Sequence, residues 1–383
     1  GTTAIQANIN ASGLQVLGEN VRLSGPVHAA LTEAAFTLSA DLRAPQGTAP
    51  LFAGAHAQTQ LSYNRARGRF SLDSVTLDGD AVSGTARGWA NDGDGEFAGE
   101  WRVKKLETLP LDITGSAAGR WRAFAVAQPH MDDRIWTTTV DGQGANLGGQ
   151  PDILPQLFGR APRLDGRFAY ENNGVTVSHL RVDGAQLRAG ATGRIVHGDL
   201  ALNVEASARG PLKLGDAEIA GAGDATGRMT GPLTHPSLTA QAQLSSFTAA
   251  GVVVAQPRVA FNLAPVQNSY RGRATVAGAV DGHPVTAASD VEIVDSTLRM
   301  NNLVAQIAAL EARGSATIAP RGASADLDLS GALDGVTAGL TGRVLGHVQL
   351  TPETLVLNAQ IADAIAGDLR IRAATVSAAG PLN

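Results

Sequence analysis

The sequence has no cysteine, only 4% aromatic residues and only 17% charged residues in 383 positions. Without cysteine there are no disulfides and no thiolate metal sites, and the redox compartment stays open. A compact enzyme core usually draws on large rings to fill its volume, so the shortage of aromatics disfavours one. No apolar run approaches the ~18 residues of a membrane-spanning helix. A secretory signal is also missing. The chain starts Gly1-Thr2-Thr3, which reads as a piece of a longer protein with its export signal or anchor elsewhere. Three lysines within a net charge of −5 make no polyanion-binding surface, which argues against nucleic acid as a partner.

What is present is small and aliphatic. Apolar residues reach 44%, mostly Ala, Val, Leu and Ile, which excludes a charged disordered chain. The 45 glycines and 17 prolines supply an excess of turn-formers.

The organisation lies in the alternation. From Leu200 to Leu214 the even positions read Leu200, Leu202, Val204, Ala206, Ala208, Gly210, Leu212 and Leu214. The odd positions carry Asn203, Glu205, Ser207, Arg209 and Lys213. A turn at Gly215-Asp216 resets the phase, and Ala217, Ile219, Gly221, Gly223, Ala225, Gly227, Met229, Gly231 and Leu233 continue the apolar side. All seven charged residues between Leu200 and Leu233 fall on the opposite side. Period two means strand, with one face dry and one wet. The pattern returns in Phe36-Leu38-Ala40-Leu42, Phe70-Leu72, Val75-Leu77, Leu238-Ala240-Ala242-Leu244, Val259-Phe261-Leu263 and Leu327-Leu329. Asp-Gly, Asn-Gly and Gly-Pro pairs separate the runs, as hairpins require.

Repetition supports an antiparallel meander. Val182-Asp183-Gly184-Ala185-Gln186-Leu187 matches Leu77-Asp78-Gly79-Asp80-Ala81-Val82, and Val280-Asp281-Gly282-His283-Pro284-Val285 is a third copy. Leu187–Ile195 resembles Leu310–Ile318. Such repeats bury a face only beside their neighbours. Three stretches fit strand less well. Pro151–Gly159 spaces Leu154, Leu157 and Phe158 for a short helix stopped by Gly159. Asn302–Glu311 is read as strand despite helical spacing, and Leu357, Ile361 and Ile365 fit either structure.

With turns, strands of about 10 to 12 residues would give about 30 strands and one sheet about 140 Å wide, which must curl. The fold expected is all-β: a long curled antiparallel sheet forming an open groove (a β-taco), repetitive, with one or two short helices. It would run as one continuous segment over 1–383, with a possible irregular insertion at 119–163. Residues 271–383 contain no Phe or Trp or Tyr, and the apolar face is often Ala or Gly. Small inward residues leave room for cargo, and acyl chains suit a lining without charge. The expected lining comprises Leu164, Phe168, Val182 and Leu187, then Leu200, Leu202, Val204, Leu212, Ile219, Met229 and Leu233. It continues through Leu238, Leu244, Val252, Val254, Val259, Phe261 and Leu263 to Leu310, Ile318, Leu327 and Leu329.

The stretch Gly231-Pro232-Leu233-Thr234-His235-Pro236-Ser237-Leu238-Thr239-Ala240 resembles the Gly-x-Leu-x-x-Pro-x-Leu-x-Gly/Ala signature of TamB-type proteins. Gly210-Pro211-Leu212 and Gly380-Pro381-Leu382 look like partial copies. The hairpins at Asp183-Gly184 and Asp78-Gly79 fit the same grammar, as does Leu157-Phe158-Gly159-Arg160-Ala161-Pro162-Arg163-Leu164-Asp165-Gly166. The resemblance covers most of the chain and implies an AsmA-like envelope protein of Gram-negative bacteria, with this segment a middle fragment in the periplasm. It implies phospholipid movement between inner and outer membranes beside an outer-membrane barrel partner of the TamA type. Membrane anchoring would come from segments outside this chain. The other class is structural: a filled β-solenoid stalk, or a scaffold assisting outer-membrane protein assembly.

Catalytic and metal chemistry is not evident, and the chain is read as a non-enzyme without cofactor or metal. The eight histidines (28, 56, 130, 179, 197, 235, 283, 347) are scattered. His130-Met131-Asp132-Asp133 reads as a polar loop, and Asn91-Asp92-Gly93-Asp94-Gly95-Glu96 as a hairpin turn, since it lacks the terminal Glu of a calcium loop. Gly142-Gln143-Gly144 has no βαβ unit around it and is no dinucleotide fingerprint. Trp89, Trp101, Trp121 and Trp136 all fall early, as ordinary packing around a local insertion or as a wider, partner-facing part of the trough.

Overall fold

The structure is a computed structural model. It describes the whole chain except residues 17–18, 46–49, 109–112, 127–134, 150–152, 172–173, 215–216, 250–251, 296, 321, 335, 337–338, 367–368 and 382–383. It is nearly all strand, 81% of the chain, and divides into two units, Gly1–His197 and Gly198–Asn383.

The first unit is a meander of twelve strands. They are β1 (Thr3–Val16), β2 (Glu19–Leu31), β3 (Ala35–Arg43), β4 (His56–Asn64), β5 (Arg69–Asp78) and β6 (Val82–Ala90). Then follow β7 (Gly95–Val103), β8 (Ile113–Val126), β9 (Ile135–Gly149), β10 (Arg163–Glu171), β11 (Gly174–Asp183) and β12 (Leu187–Val196). Each pairs antiparallel with the next. One short helix, α1 (Ile153–Phe158), stands between β9 and β10 where i, i+3, i+4 spacing expects it, and Gly159 follows at φ 69°. Its last carbonyls accept backbone N–H bonds from Ala185 (3.1 Å, to Phe158) and Gln186 (2.9 Å, to Leu157), so it caps the β11–β12 hairpin. Among the described residues of 119–163, β8 and β9 hold register with each other and with β7 and β10.

The second unit runs from β13 (Asp199–Arg209) and β14 (Leu212–Leu214), which both pair with β15 (Ala217–Pro232). Next come β16 (Ser237–Ala249), β17 (Val252–Val266), β18 (Ser269–Val280), β19 (His283–Val294), β20 (Thr297–Ile307) and β21 (Leu310–Ala319). The last are β22 (Gly322–Ala332), β23 (Leu340–Leu350), β24 (Thr354–Ala366) and β25 (Leu369–Pro381). From β15 on, each pairs antiparallel with its sequence neighbour. Residues 302–307 and 310–311 are strand as read, split by a turn at Ala308-Ala309 between β20 and β21, and Leu357, Ile361 and Ile365 lie on β24. Among the described residues no pairing joins β1 to β12 or β13 to β25, so the strands of neither unit close into a barrel. The 25 strands are fewer than the thirty expected, because several extend to 13–16 residues.

The Asp-Gly hairpins fall where the repeats place them. The Gly79 amide donates to the Val82 carbonyl (2.8 Å) and the Gly184 amide to the Leu187 carbonyl (2.7 Å), giving two copies of one turn. The third copy is tighter. Val280 pairs with His283 across Asp281 (φ 48°) and Gly282 (φ 83°), the left-handed pair that a two-residue hairpin demands. The turn expected at Gly215-Asp216 lies outside the described residues.

Bulges keep the dry side dry. On β5 both Leu72 and Val75 face the apolar side although they differ by three positions, because the pairing shifts between them. A similar shift separates Val177 from Leu180 on β11. Without these extra residues the period of two would turn every following side chain over.

Among the described residues of each unit no second layer lies on the strands. Among the described residues no large side chain is fully buried, and the main buried cluster is modest: Leu333, Val344 and Ala359, flanked by Leu310, Leu340, Leu357 and Ile361. The chain exposes 23295 Å². Two compact domains of half its mass would together expose only about 17,000 Å².

Candidate apolar binding face

Cross-strand register sorts the side chains into rows, and on one face of each sheet the rows carry no charge. In the first unit one row runs Ala7, Val27, Ala40, Thr59, Val75, Ala86, Gly99, Trp121, Val140, Gly166, Leu180, Ala191. A parallel row from β3 to β12 runs Leu42, Ala57, Leu77, Gly84, Trp101, Gly119, Gly142, Leu164, Val182, Ala189. In the second unit the matching row is Ala206, Ala225, Ala242, Val259, Val276, Ala287, Ala305, Ala312, Leu329, Gly346, Ala359, Val376. Twelve successive partners hold nothing larger than leucine.

Most residues picked from the alternation share these faces. Leu164 pairs with Val182, Phe168 with Val177, and Leu187 follows the same side of β12. Leu202, Met229, Leu238 and Leu263 form one row, and Val204 and Phe261 stand in the next with Gly227 and Ala240. Leu212 pairs with Ile219, Leu244 with Gly223, Leu200 with Gly231, and Val254 with Phe247. Leu327, Leu329, Leu310 and Ile318 continue the side on β21 and β22. Exposure separates them: Leu200 and Leu212 are buried, whereas Val252 and Ile318 are each 48% exposed at strand ends. Leu233 departs from the reading. It sits in the turn after β15, 61% exposed, because the strand ends at Pro232. Alternation also marks Trp101, Trp121 and Trp136, whose parity places them on the dry face.

The glycines of this face give room to neighbouring side chains. A Cβ on Gly142 would lie 2.5 Å from Trp101 Cζ2, one on Gly95 2.6 Å from Trp136 Cη2, and one on Gly88 2.5 Å from Phe97 Cδ1. In the second unit Leu244 lies the same way over Gly223 (2.5 Å) and Val254 over Gly278 (2.7 Å). Each large side chain leans across the strand into a space that only glycine leaves. Part of the room expected for cargo is therefore taken by the protein itself, above all around Phe97 and Trp136, whose rings are 5.6 Å apart. Trp89 is the exception among the tryptophans. Paired with Glu96, it faces the polar side, where the Arg69 guanidinium lies 4.4 Å above its ring.

The opposite face carries the charge. Lys104 holds Asp78 at 2.7 Å, and Arg181 (2.9 Å) and Arg188 (2.7 Å) hold Asp183; these cations keep both carboxyls below the usual carboxylate range. Three histidines meet aspartates across strands: His56–Asp41 (2.6 Å), His179–Asp165 (2.5 Å) and His347–Asp328 (3.0 Å). Two hollows also lie over this face. One, of about 1020 Å³, borders Gln241, Gln243, Arg258, Arg273, Thr286 and Asp290, and the other, of about 890 Å³, borders Asp78, Arg102, Glu100 and Asp165. A twisted sheet is saddle-shaped, so each face has a concave direction. A smaller cavity, about 150 Å³, opens on the apolar side beside Trp101.

Among the described residues no three His, Asp or Glu side chains come together to hold a metal. The Asn91 side chain accepts the amides of Gly93 (2.9 Å) and Asp94 (2.6 Å), which makes 91–94 a hairpin turn between β6 and β7, with Gly95 and Glu96 opening β7. Gly142-Gln143-Gly144 lies within β9, and His130-Met131-Asp132-Asp133 falls outside the described residues.

The fold and face define a class: an open, single-layered antiparallel β protein with one uncharged side. No protein-family model matches the chain, and no curated protein matches it.

Proposed function

We propose that the apolar face carries the acyl chains of phospholipids. The observation that supports this reading is the run of uncharged rows from strand to strand within each unit, with no helix or second layer over them among the described residues of that unit. A phospholipid has about 30 methylenes, and exposing them costs on the order of 25 kcal/mol at about 0.8 kcal/mol each. A dry strip that stays dry removes that cost at each step of movement. Uniform Ala, Val and Leu in the Ala206–Val376 row gives little to trap a chain, so the energy along the strip stays level.

The likeness of the repeats to TamB-type proteins supports the cellular side of the proposal. On this reading the chain is part of a periplasmic conduit between the two membranes, anchored through other segments and partnered by an outer-membrane barrel. A structural stalk or assembly scaffold is the second reading. It draws on Trp101, Trp136 and Phe97, which fill glycine seats in the first unit. Photoreactive residues at Val204, Ile219 and Val259, followed by mass spectrometry, separate the two. Phospholipid adducts at these sites are expected, and adducts no more frequent than at Gln241 or Asn262 on the wet side would overturn the conduit.

A further inference from the structure

On the polar side of the second unit, Arg258 on β17 and Arg273 on β18 are exposed and border the hollow of about 1020 Å³. Neither makes an ion pair among the described residues, whereas Arg271, two positions from Arg273, is held by Glu292 at 2.6 Å. Arg258 pairs with Ala277, four residues along β18 from Arg273, so the two Cα atoms are about 14 Å apart. Between and beside them the wet side loses its polarity. Ala260, Ala277, Ala288 and Val304 take positions that alternation gives to polar residues, and they floor the hollow. Gln241, Gln243, Thr275 and Thr286 also line it, with Asp224 and Asp290. The Asn302 side chain donates to the Asp290 carboxylate (2.8 Å) and holds it at the border.

An apolar floor with a few polar groups set around it is the usual make-up of a binding pocket. A sugar ring has flat sides of C–H bonds and a rim of hydroxyls, which match alanines and side-chain amides and hydroxyls in turn. Two separated guanidiniums add seats for two carboxylates. Asp224 and Asp290 accept hydroxyls and repel a densely charged polymer, so the charge on the ligand must be sparse. We propose that this hollow binds an acidic oligosaccharide, its carboxylates on Arg258 and Arg273 and its hydroxyls on the glutamines, threonines and aspartates. The site is on the opposite side of the strands from the lipid strip and does not depend on that strip carrying lipid.

The test uses the full chain and calorimetry with three probes. They are a hyaluronan hexasaccharide, which carries a carboxylate on every second sugar, neutral maltohexaose, and single-stranded hexathymidylate. The hyaluronan fragment is expected to bind, and more tightly than the other two. Arg258→Gln and Arg273→Gln should each weaken it about tenfold, the size of one charge-assisted hydrogen bond, and leave maltohexaose unchanged. Ala277→Phe fills the floor at an exposed strand position that tolerates a ring, and should abolish binding. Absence of hyaluronan binding to the wild type overturns the proposal. Equal affinity of the wild type and both arginine variants does so too, as does maltohexaose binding as tightly as hyaluronan. Tighter binding of hexathymidylate, lost in the same variants, would replace the glycan with a general polyanion.

Discussion

Trp101 occupies the space that Gly142 leaves empty two strands away, its Cζ2 lying 2.5 Å from where a Cβ on Gly142 would stand. The intervening partner is Gly119, so the ring crosses a row that has no side chains of its own. Such an arrangement lets a single-layered sheet bury a large ring without a second layer.

Gly142→Ala should therefore push the Trp101 ring aside. Overpacking of this kind costs about 1–3 kcal/mol, and urea unfolding followed by tryptophan fluorescence would measure it. Gly282→Ala, in a turn with open space around it, would act only through its φ of 83° and should leave the fluorescence of the folded state unchanged.

A charge on the dry strip should stop lipid without unfolding the sheet. Val204→Arg, in the row with Gly227 and Ala240, is expected to suppress lipid adducts at Val259, while Gln241→Arg on the wet side leaves them intact. The two variants are compared by adduct yield and by far-ultraviolet circular dichroism, which should be the same for both. Folded Val204→Arg protein with undiminished adducts would count against the conduit.

The β5 bulge makes a sharper test of register. Removing Asp73 converts Leu72-Asp73-Ser74-Val75 to regular alternation and should be tolerated. Removing Thr76 puts Val75 beside Leu77 and forces one of them to the wet face, exposing an aliphatic side chain at about 1.5–3 kcal/mol. Thermal melts of the two deletions should differ in that direction.

His347 lies between Asp328 (Nδ1, 3.0 Å) and Asp326 (Nε2, 3.6 Å), and the hydrogen bond to Asp328 raises its pKa above the ordinary 6.5. A group whose folded pKa is raised stabilises fully below its unfolded value and loses that contribution as pH climbs through the raised one. Amide exchange in β22–β23 should then be slowest below about pH 6.5 after correction for intrinsic rates. Asp328→Asn should lower the imidazole midpoint in an NMR titration. An unchanged midpoint would show that the pair is not formed.

Much of the architecture was legible in the chain. Alternation from Leu200 to Leu233 put Glu205, Asp224 and Arg228 on one side of β13 and β15, where register places them, because a strand has only two sides. The Asp-Gly pairs announced the hairpins, and Leu157-Phe158-Gly159 the helix stop. Leu233 was misjudged because the alternation carried on past Pro232, where the strand ends.

What the sequence determined by itself was therefore parity: which residues are strand and which share a side, since both follow from a repeat of two along the backbone. Tertiary structure alone decided which residues meet across strands. Gly142 and Trp101 are 41 positions apart, and nothing near either one says that the ring will fill the gap. Cross-strand neighbours are set by how successive hairpins and their bulges add up in register, and a shift of one residue anywhere would have paired that ring with something else.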